Sequence, residues 1–184
     1  MKFSNTNIKG IVVIEPKLIK DKRGYFLESF NKNKFKSEIG EVTFVQENES
    51  KSYKGVLRGL HYQKPPFAQA KLVRCIEGEI LDVALDLRKG SNTYGLYHSV
   101  ILSKENKKQL FIPRGFAHGF LVLSDIAVFS YKVDNFYSLE HDAGIRWNDK
   151  KLNIQWGLEM SDILVSEKDS KHPFFSQFNS PFKL

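Results

Sequence analysis

The stretch GVLRGLHYQ, residues 55–63, alternates like a β-strand, yet it carries Arg58 and His61. A half-buried strand has no use for two titratable groups unless one of its faces lines a site. The two are three residues apart, so a regular strand points them to opposite faces. A bulge at Gly59, which tolerates unusual dihedral angles, would turn both inward. In EILDVALDLR, Leu81, Val83, Leu85 and Leu87 make one apolar face, and Asp82, Ala84 and Asp86 make the other. If that second face looks into a pocket, Asp82 reaches a histidine there; otherwise it is a solvent-facing strand carboxylate. Gln46 and Asn48 are two apart and share a face, with Glu47 facing away. By themselves, Lys71 reads as a solvated lysine at a strand start and Tyr131 as a barrel-wall aromatic. Cys75, in KLVRCIEG, reads as a small core residue.

The elements that must position these groups are mostly strands. Strand-like runs are IKGIVVIE, RGYFLESF, VTFVQENES, GVLRGLHYQ, KLVRCIEG, EILDVALDLR, YGLYHSVIL, KQLFIPRG, AHGFLVLS and AVFSYKVDNFY, separated by turn residues such as EGE and KGSNTYG. Many short strands at regular spacing argue for an all-β sandwich or barrel. Helical signals are thin: NKNKFKSEIG forms one short helix ending at Gly40, SKENKK one turn, and SDILVSEKDS a final helix or loop. The 184 residues, 41% hydrophobic and 27% charged, suit one globular domain. Its expected parts are an N-terminal strand region (1–50), a barrel core (about 51–135) and a C-terminal extension (136–184). One cysteine rules out an internal disulfide. The N-terminus lacks a signal-peptide pattern and no apolar run spans a bilayer, so a cytoplasmic protein without membrane contact is expected. The net charge of +7 comes from scattered lysines with no nucleic-acid-binding signature, so no nucleic-acid partner is expected.

Pro113, Gly115 and His118 in FIPRGFAHGF resemble the second motif of the cupin jelly rolls, where a Pro–Gly turn swings a histidine to the barrel interior. GVLRGLHYQ lies where the first cupin motif belongs, but supplies only His61 of that motif's histidine pair and glutamate. Two imidazoles without a fixed carboxylate are a poor divalent-metal set, so a barrel without a metal is expected. A histidine free of metal is a proton acceptor. RGYF-ES, FVQENES, GVLRGLHYQ, KLVRC-EGEI-DVA-DLR-GS-TYG, FIPRGFAHGFLVLSD, YK, GIRWND and SEKD occur in that order, and together they resemble the dTDP-4-dehydrorhamnose 3,5-epimerase family from about residue 8 to 169. The resemblance implies an all-β, cupin-type jelly-roll barrel with a few short peripheral helices. It implies an isomerase, without cofactor, that inverts carbons 3 and 5 of dTDP-4-dehydro-6-deoxy-D-glucose to give dTDP-4-dehydro-L-rhamnose.

Each inverted carbon lies beside the ketone, so the reaction needs a base on one face, a cation or donor at the enolate oxygen, and an acid on the other face. By resemblance, His61 is the base, Asp169 the carboxylate orienting it, Lys71 the cation and Tyr131 the acid. Arg23, Arg58, Glu28 and Lys168 match phosphate- or nucleotide-binding positions, as do Gln46 and Asn48. Tyr137 matches the aromatic stacked on thymine, and His118 a contact to the sugar. Asp142 stands where most relatives carry glutamate. The resemblance also implies a homodimer whose N-terminal strand joins the partner's sheet. Alternatives are epimerisation at carbon 3 alone, a related nucleotide-4-keto sugar as substrate, a metal-dependent cupin oxygenase, and a non-catalytic carbohydrate- or DNA-binding module. The last leaves the His61, Lys71, Tyr131 and Asp169 set without a purpose.

Overall fold

The computed structural model describes all residues, 1–184. Thirteen strands dominate it: β1 (Lys2–Asn5), β2 (Val12–Glu15), β3 (Leu18–Asp21), β4 (Gly24–Leu27), β5 (Gln46–Tyr53), β6 (Leu57–Gln63), β7 (Lys71–Glu77), β8 (Glu79–Asp86), β9 (Tyr97–Ser103), β10 (Gln109–Ile112), β11 (Phe116–Val122), β12 (Ile126–Val133) and β13 (Asp142–Gly144). Helix α1 (Lys32–Glu38) precedes β5, and the one-turn helix α2 (Glu167–Ser170) comes near the end. The strands form a six-stranded sheet, β1-β2-β10-β7-β12-β5, a five-stranded sheet, β13-β6-β11-β8-β9, and a separate hairpin, β3-β4. All pairings within them are antiparallel. This is the jelly-roll barrel expected from the sequence.

Alternation assigns the faces. On β12, Ala127, Phe129 and Val133 are buried, with Tyr131 packed beside them, while Ser130 and Lys132 meet Glu47 on the other face. Residues opposite one another on antiparallel strands share a face. Tyr131 is opposite Asn48 and Val73, so these three look into the barrel. The interior core combines Val73, Cys75, Ile112 and Phe129 of one sheet with Ile80, Ala84, Phe116 and Phe120 of the other. Cys75 is the core residue its context predicted.

Both outer faces are covered as well. Phe35 of α1 packs with Val12, Ile14, Leu72 and Phe111 on the back of the six-stranded sheet. The C-terminal segment lays Ile145, Trp147, Trp156, Phe175 and Phe182 over the back of the five-stranded sheet, against Leu57, Val83, Leu85 and Leu121. Strand β8 is therefore buried on both faces. Its apolar row faces the C-terminal segment, and Asp82 and Ala84 face the interior, which overturns the solvent-facing reading of Asp82. Asn31 caps α1 by accepting the N–H groups of Asn33 and Lys34, and the helix stops at Gly40, which takes a φ of +119°. SKENKK forms a turn between β9 and β10.

Candidate active site

The register between β6 and β11 slips. His61 is opposite His118 and Arg58 is opposite Phe120, so three steps on β6 match two on β11. The extra residue is the bulge expected at Gly59, and it brings Arg58 and His61 into the same cleft. Only glycine fits there. Gly59 has φ +150°, and a Cβ would lie 2.6 Å from the Gly119 Cα.

The cleft, about 590 Å³, opens between the two sheets. Arg58, His61 and His118 line it from the five-stranded sheet, Lys71 and Tyr131 from the six-stranded sheet, and Lys168 and Asp169 from α2. Two backbone bonds hold the α2 segment against β6: Leu57 N–H to Leu164 C=O, and Leu164 N–H to Gly55 C=O, both 2.8 Å. Ser166 caps α2 by accepting the Asp169 N–H at 3.0 Å. The polar run SEKDS thus delivers Asp169 to the back of the cleft, only 4% exposed.

Each barrel histidine has its own carboxylate. His61 Nε2 lies 2.8 Å from Asp169 Oδ1, and Asp169 Oδ2 accepts the Gly59 N–H at 3.1 Å. His118 Nε2 lies 2.9 Å from Asp82 Oδ2. Asp169, not Asp82, is the partner of His61. Burial opposes ionisation of Asp169, but the imidazoles of His172 and His61 and the Gly59 N–H hold its carboxyl far below the usual carboxylate range. Burial lowers His118 despite the Asp82 charge beside it, so His118 is a neutral imidazole donating to Asp82. Burial pulls Lys71 down to about 8, partly offset by the charges of Asp142 and Asp82. Lys71 is half-buried and lines the cleft. Its Nζ sits 5.8 Å from the centre of the Tyr131 ring. Burial raises the Tyr131 hydroxyl, more than the Arg58 charge lowers it, so it stays protonated at neutral pH.

These groups suit proton transfer beside a carbonyl: an imidazole backed by a carboxylate on one wall, and an ammonium and a phenol on the other. They suit a metal less well, because the Nε2 of each cupin histidine is already hydrogen-bonded to a carboxylate. His61, Asp169 and His172 come within 4.8 Å of one another, but the Asp169 oxygen among them is the one that holds His61.

The sequence profile of the dTDP-4-dehydrorhamnose 3,5-epimerases matches residues 5–177. A dTDP-4-dehydrorhamnose 3,5-epimerase of Shigella flexneri is 55% identical over 170 residues, 92% of this chain and 93% of that protein. The chain belongs to the dTDP-4-dehydrorhamnose 3,5-epimerase family. The crystal structure of the Legionella pneumophila epimerase in complex with dTDP-4-keto-L-rhamnose is similar, with a TM-score of 0.93, 45% identity, and coverage of 97% of this chain and 94% of that one. A 3'-monoepimerase from Streptomyces bikiniensis, in complex with dTDP-quinovose, is more distant at 31% identity, with a TM-score of 0.87 and coverage of 93% and 86%.

Most of the residues that the family resemblance singled out converge. His61, Lys71, Tyr131, Asp169, Arg58, His118 and Lys168 line the cleft. Gln46, Asn48, Tyr137 and Asp142 adjoin it in a hydrogen-bonded row. Gln46 Nε2 donates to Asn48 Oδ1 at 2.9 Å, and the Tyr137 N–H donates to Gln46 Oε1 at 3.3 Å. The Tyr137 hydroxyl donates to Asp142 Oδ2 at 3.2 Å, and Asp142 pairs with Lys168 of the cleft. The shorter carboxylate at position 142 therefore still reaches two of the epimerase residues expected around the nucleotide.

Arg23 and Glu28 are the exceptions. Arg23 is 84% exposed on the β3–β4 hairpin, paired with Asp21 at 2.6 Å. Glu28 pairs with Lys34 at 2.7 Å and accepts from Asn31 at the start of α1. Neither residue lines the cleft of its own chain. Strand β1 pairs with β2 of its own chain. Ser52, which accepts the Arg58 Nε–H at 3.1 Å, and His172, beside Asp169, had no local signal in the sequence.

Proposed function

We propose that the chain epimerises dTDP-4-dehydro-6-deoxy-D-glucose at carbons 3 and 5 to dTDP-4-dehydro-L-rhamnose, with residues of this cleft as the only catalysts. The observation that carries this reading is the placement of His61 with Asp169 on one sheet and Tyr131 with Lys71 on the facing sheet. His61 Nε2 keeps its proton on Asp169, which leaves Nδ1 to take the proton from carbon 5. The electron pair moves onto the ketone oxygen, where the Lys71 ammonium neutralises it. The Tyr131 hydroxyl returns a proton to carbon 5 from the other face, and proton exchange with solvent resets both groups. The same cycle, after the sugar ring turns over, inverts carbon 3. No metal or organic cofactor enters either step.

Arg58 and Lys168 suit the pyrophosphate oxygens. Gln46, Asn48 and Asp142 suit the nucleoside, with Tyr137 stacked on the thymine and His118 Nδ1, its Nε2 proton held by Asp82, accepting from a sugar hydroxyl. Arg23 and Glu28 reach a cleft only if a second copy supplies them, which fits a homodimer exchanging the β3–β4 hairpin region. The exposed Ile19, Tyr25 and Phe26 on that hairpin support this arrangement. No helix is long and apolar enough to cross a membrane, and the buried, unpaired Cys75 suits the reducing cytoplasm as the place of reaction. Inversion at carbon 3 alone is the second reading, favoured by the Streptomyces bikiniensis 3'-monoepimerase, whose fold is shared at lower identity.

The test is His61→Ala, assayed with a chelator present. Turnover should fall by on the order of 10²–10⁴-fold while dTDP still binds. Wild-type turnover should be unchanged by the chelator. Activity of His61→Ala within about tenfold of wild type would remove His61 as the base.

A further inference from the structure

His172 follows α2 and turns inward, 8% exposed. Its Nε2 lies 3.6 Å from Asp169 Oδ1, the same oxygen that His61 holds at 2.8 Å. That distance is just longer than a hydrogen bond, and His172 Nε2 has no other partner and no solvent contact. The ring meets the His61 ring edge to face, with centroids 5.7 Å apart and planes at 76°.

The fold makes room for it. Gly144 of β13, opposite His61 in register, lies under the ring. A Cβ at Gly144 would fall 2.4 Å from His172 Nε2 and 2.5 Å from Cδ2. The backbone is fixed beside it: Arg146 Nε–H donates to the His172 carbonyl at 2.7 Å, and the Arg146 N–H to the Pro173 carbonyl at 2.9 Å. The charged and titratable groups facing His172 are Asp169 from α2, His61 from β6, and Arg146 after β13. A buried ring nitrogen aimed at a carboxylate oxygen, in a slot only glycine leaves open, is poorly explained as filler. An apolar ring would fill the slot without an unpartnered nitrogen.

We propose that His172 is a positioning residue for His61, the third member of a His61–Asp169–His172 unit. It confines Asp169 Oδ1 alongside His61, while the Gly59 N–H confines Oδ2. The carboxylate is then held on three sides, and its direction fixes the plane and tautomer of the His61 ring. A carboxylate shared between two imidazoles also gives less of its charge to each. The inference rests on the reading of His61 as the base.

Two variants test it. His172→Phe keeps a ring in the slot and removes the nitrogen, whereas His172→Gln restores an N–H donor. His172→Phe should lower kcat roughly tenfold, a fraction of what a general base supplies, with KM unchanged. Without substrate, NMR titration of the His61 ring signals should move to higher pH, because Asp169 now serves His61 alone. His172→Gln should recover most of kcat and of the titration. Wild-type kcat and titration in His172→Phe would overturn the proposal, as would a kcat loss of equal size in both variants with the titration unmoved. If His61→Ala keeps its activity, the base reading fails instead; if it is inactive and His172→Phe behaves as wild type, only the role of His172 fails.

Discussion

Asp169→Asn swaps one oxygen for an amide at nearly constant shape, and the surroundings dictate how that amide must turn. Asp169 Oδ2 accepts the backbone N–H of Gly59 at 3.1 Å, and a backbone donor cannot become an acceptor. The asparagine oxygen must therefore face Gly59, and its NH₂ must face His61 Nε2. That nitrogen then has to accept, which places the ring proton on Nδ1, the atom needed to take the substrate proton. The substitution also removes the carboxylate's charge. With N···O at 2.8 Å the charge centres are roughly 4 Å apart, and at an effective dielectric constant near 20 such a pair is worth about 4 kcal/mol. The His61 side chain is 31% exposed, so solvent screening reduces this to roughly half. Turnover should fall on the order of 10³-fold, with the acidic limb of kcat/KM moved to lower pH and dTDP binding kept. The assay is kcat/KM from pH 5 to 9 for Asp169→Asn beside Asp82→Asn, which disturbs His118 and should do less. If Asp82→Asn moves the limb and Asp169→Asn leaves it in place, the tautomer argument is wrong.

Lys71 titrates near 8 in the folded chain against 10.5 when unfolded. The unfolded chain binds more protons between these values, so stability should rise with pH from about 8 to 10.5, measurable by denaturant unfolding across that range. Turnover runs the other way, because the cation at the enolate oxygen is lost above about pH 8; Lys71→Arg, which stays charged, should abolish that basic limb, and a limb that persists would assign it to another group. Gly59→Ala would put a Cβ 2.6 Å from the Gly119 Cα at φ +150°, so it should destabilise the fold by roughly 2–4 kcal/mol and misplace both Arg58 and His61. Chemical denaturation with activity measured in parallel checks this, and an unaffected midpoint would contradict the bulge's role.

The barrel and the heart of its site were legible because local pattern and geometry agree there. Arg58 and His61 sit at a spacing that a flat strand cannot reconcile, and Gly59 lies between them, so the bulge could be read from three residues. Asp169 was legible only by family resemblance, since SEKDS looks like a surface turn; its burial comes from Leu164 bonding to β6, a contact across about a hundred residues. His172 had no signal for the same reason, as its slot is formed by Gly144 on another strand. Strand β3 was missed because LIKD is short and mostly exposed, without alternation to mark it. Strand β5 begins at Gln46, not at Val42, and β12 ends at Val133, because the aromatic residues beyond these ends pack on α1 or carry the Tyr137 loop. Arg23 and Glu28 were placed by resemblance alone, and within the chain they pair with Asp21 and Lys34 and do not line the cleft.

The most direct test of double inversion by a single base and a single acid is isotope exchange. The pure protein would be incubated with dTDP-4-dehydro-6-deoxy-D-glucose in deuterium oxide, and the sugar protons followed by NMR. Deuterium should enter at carbon 3 and at carbon 5, both rates should collapse in His61→Ala, and the product should be dTDP-4-dehydro-L-rhamnose. Exchange at carbon 3 alone would contradict double inversion, and exchange that survives in His61→Ala would contradict the base on which the mechanism stands.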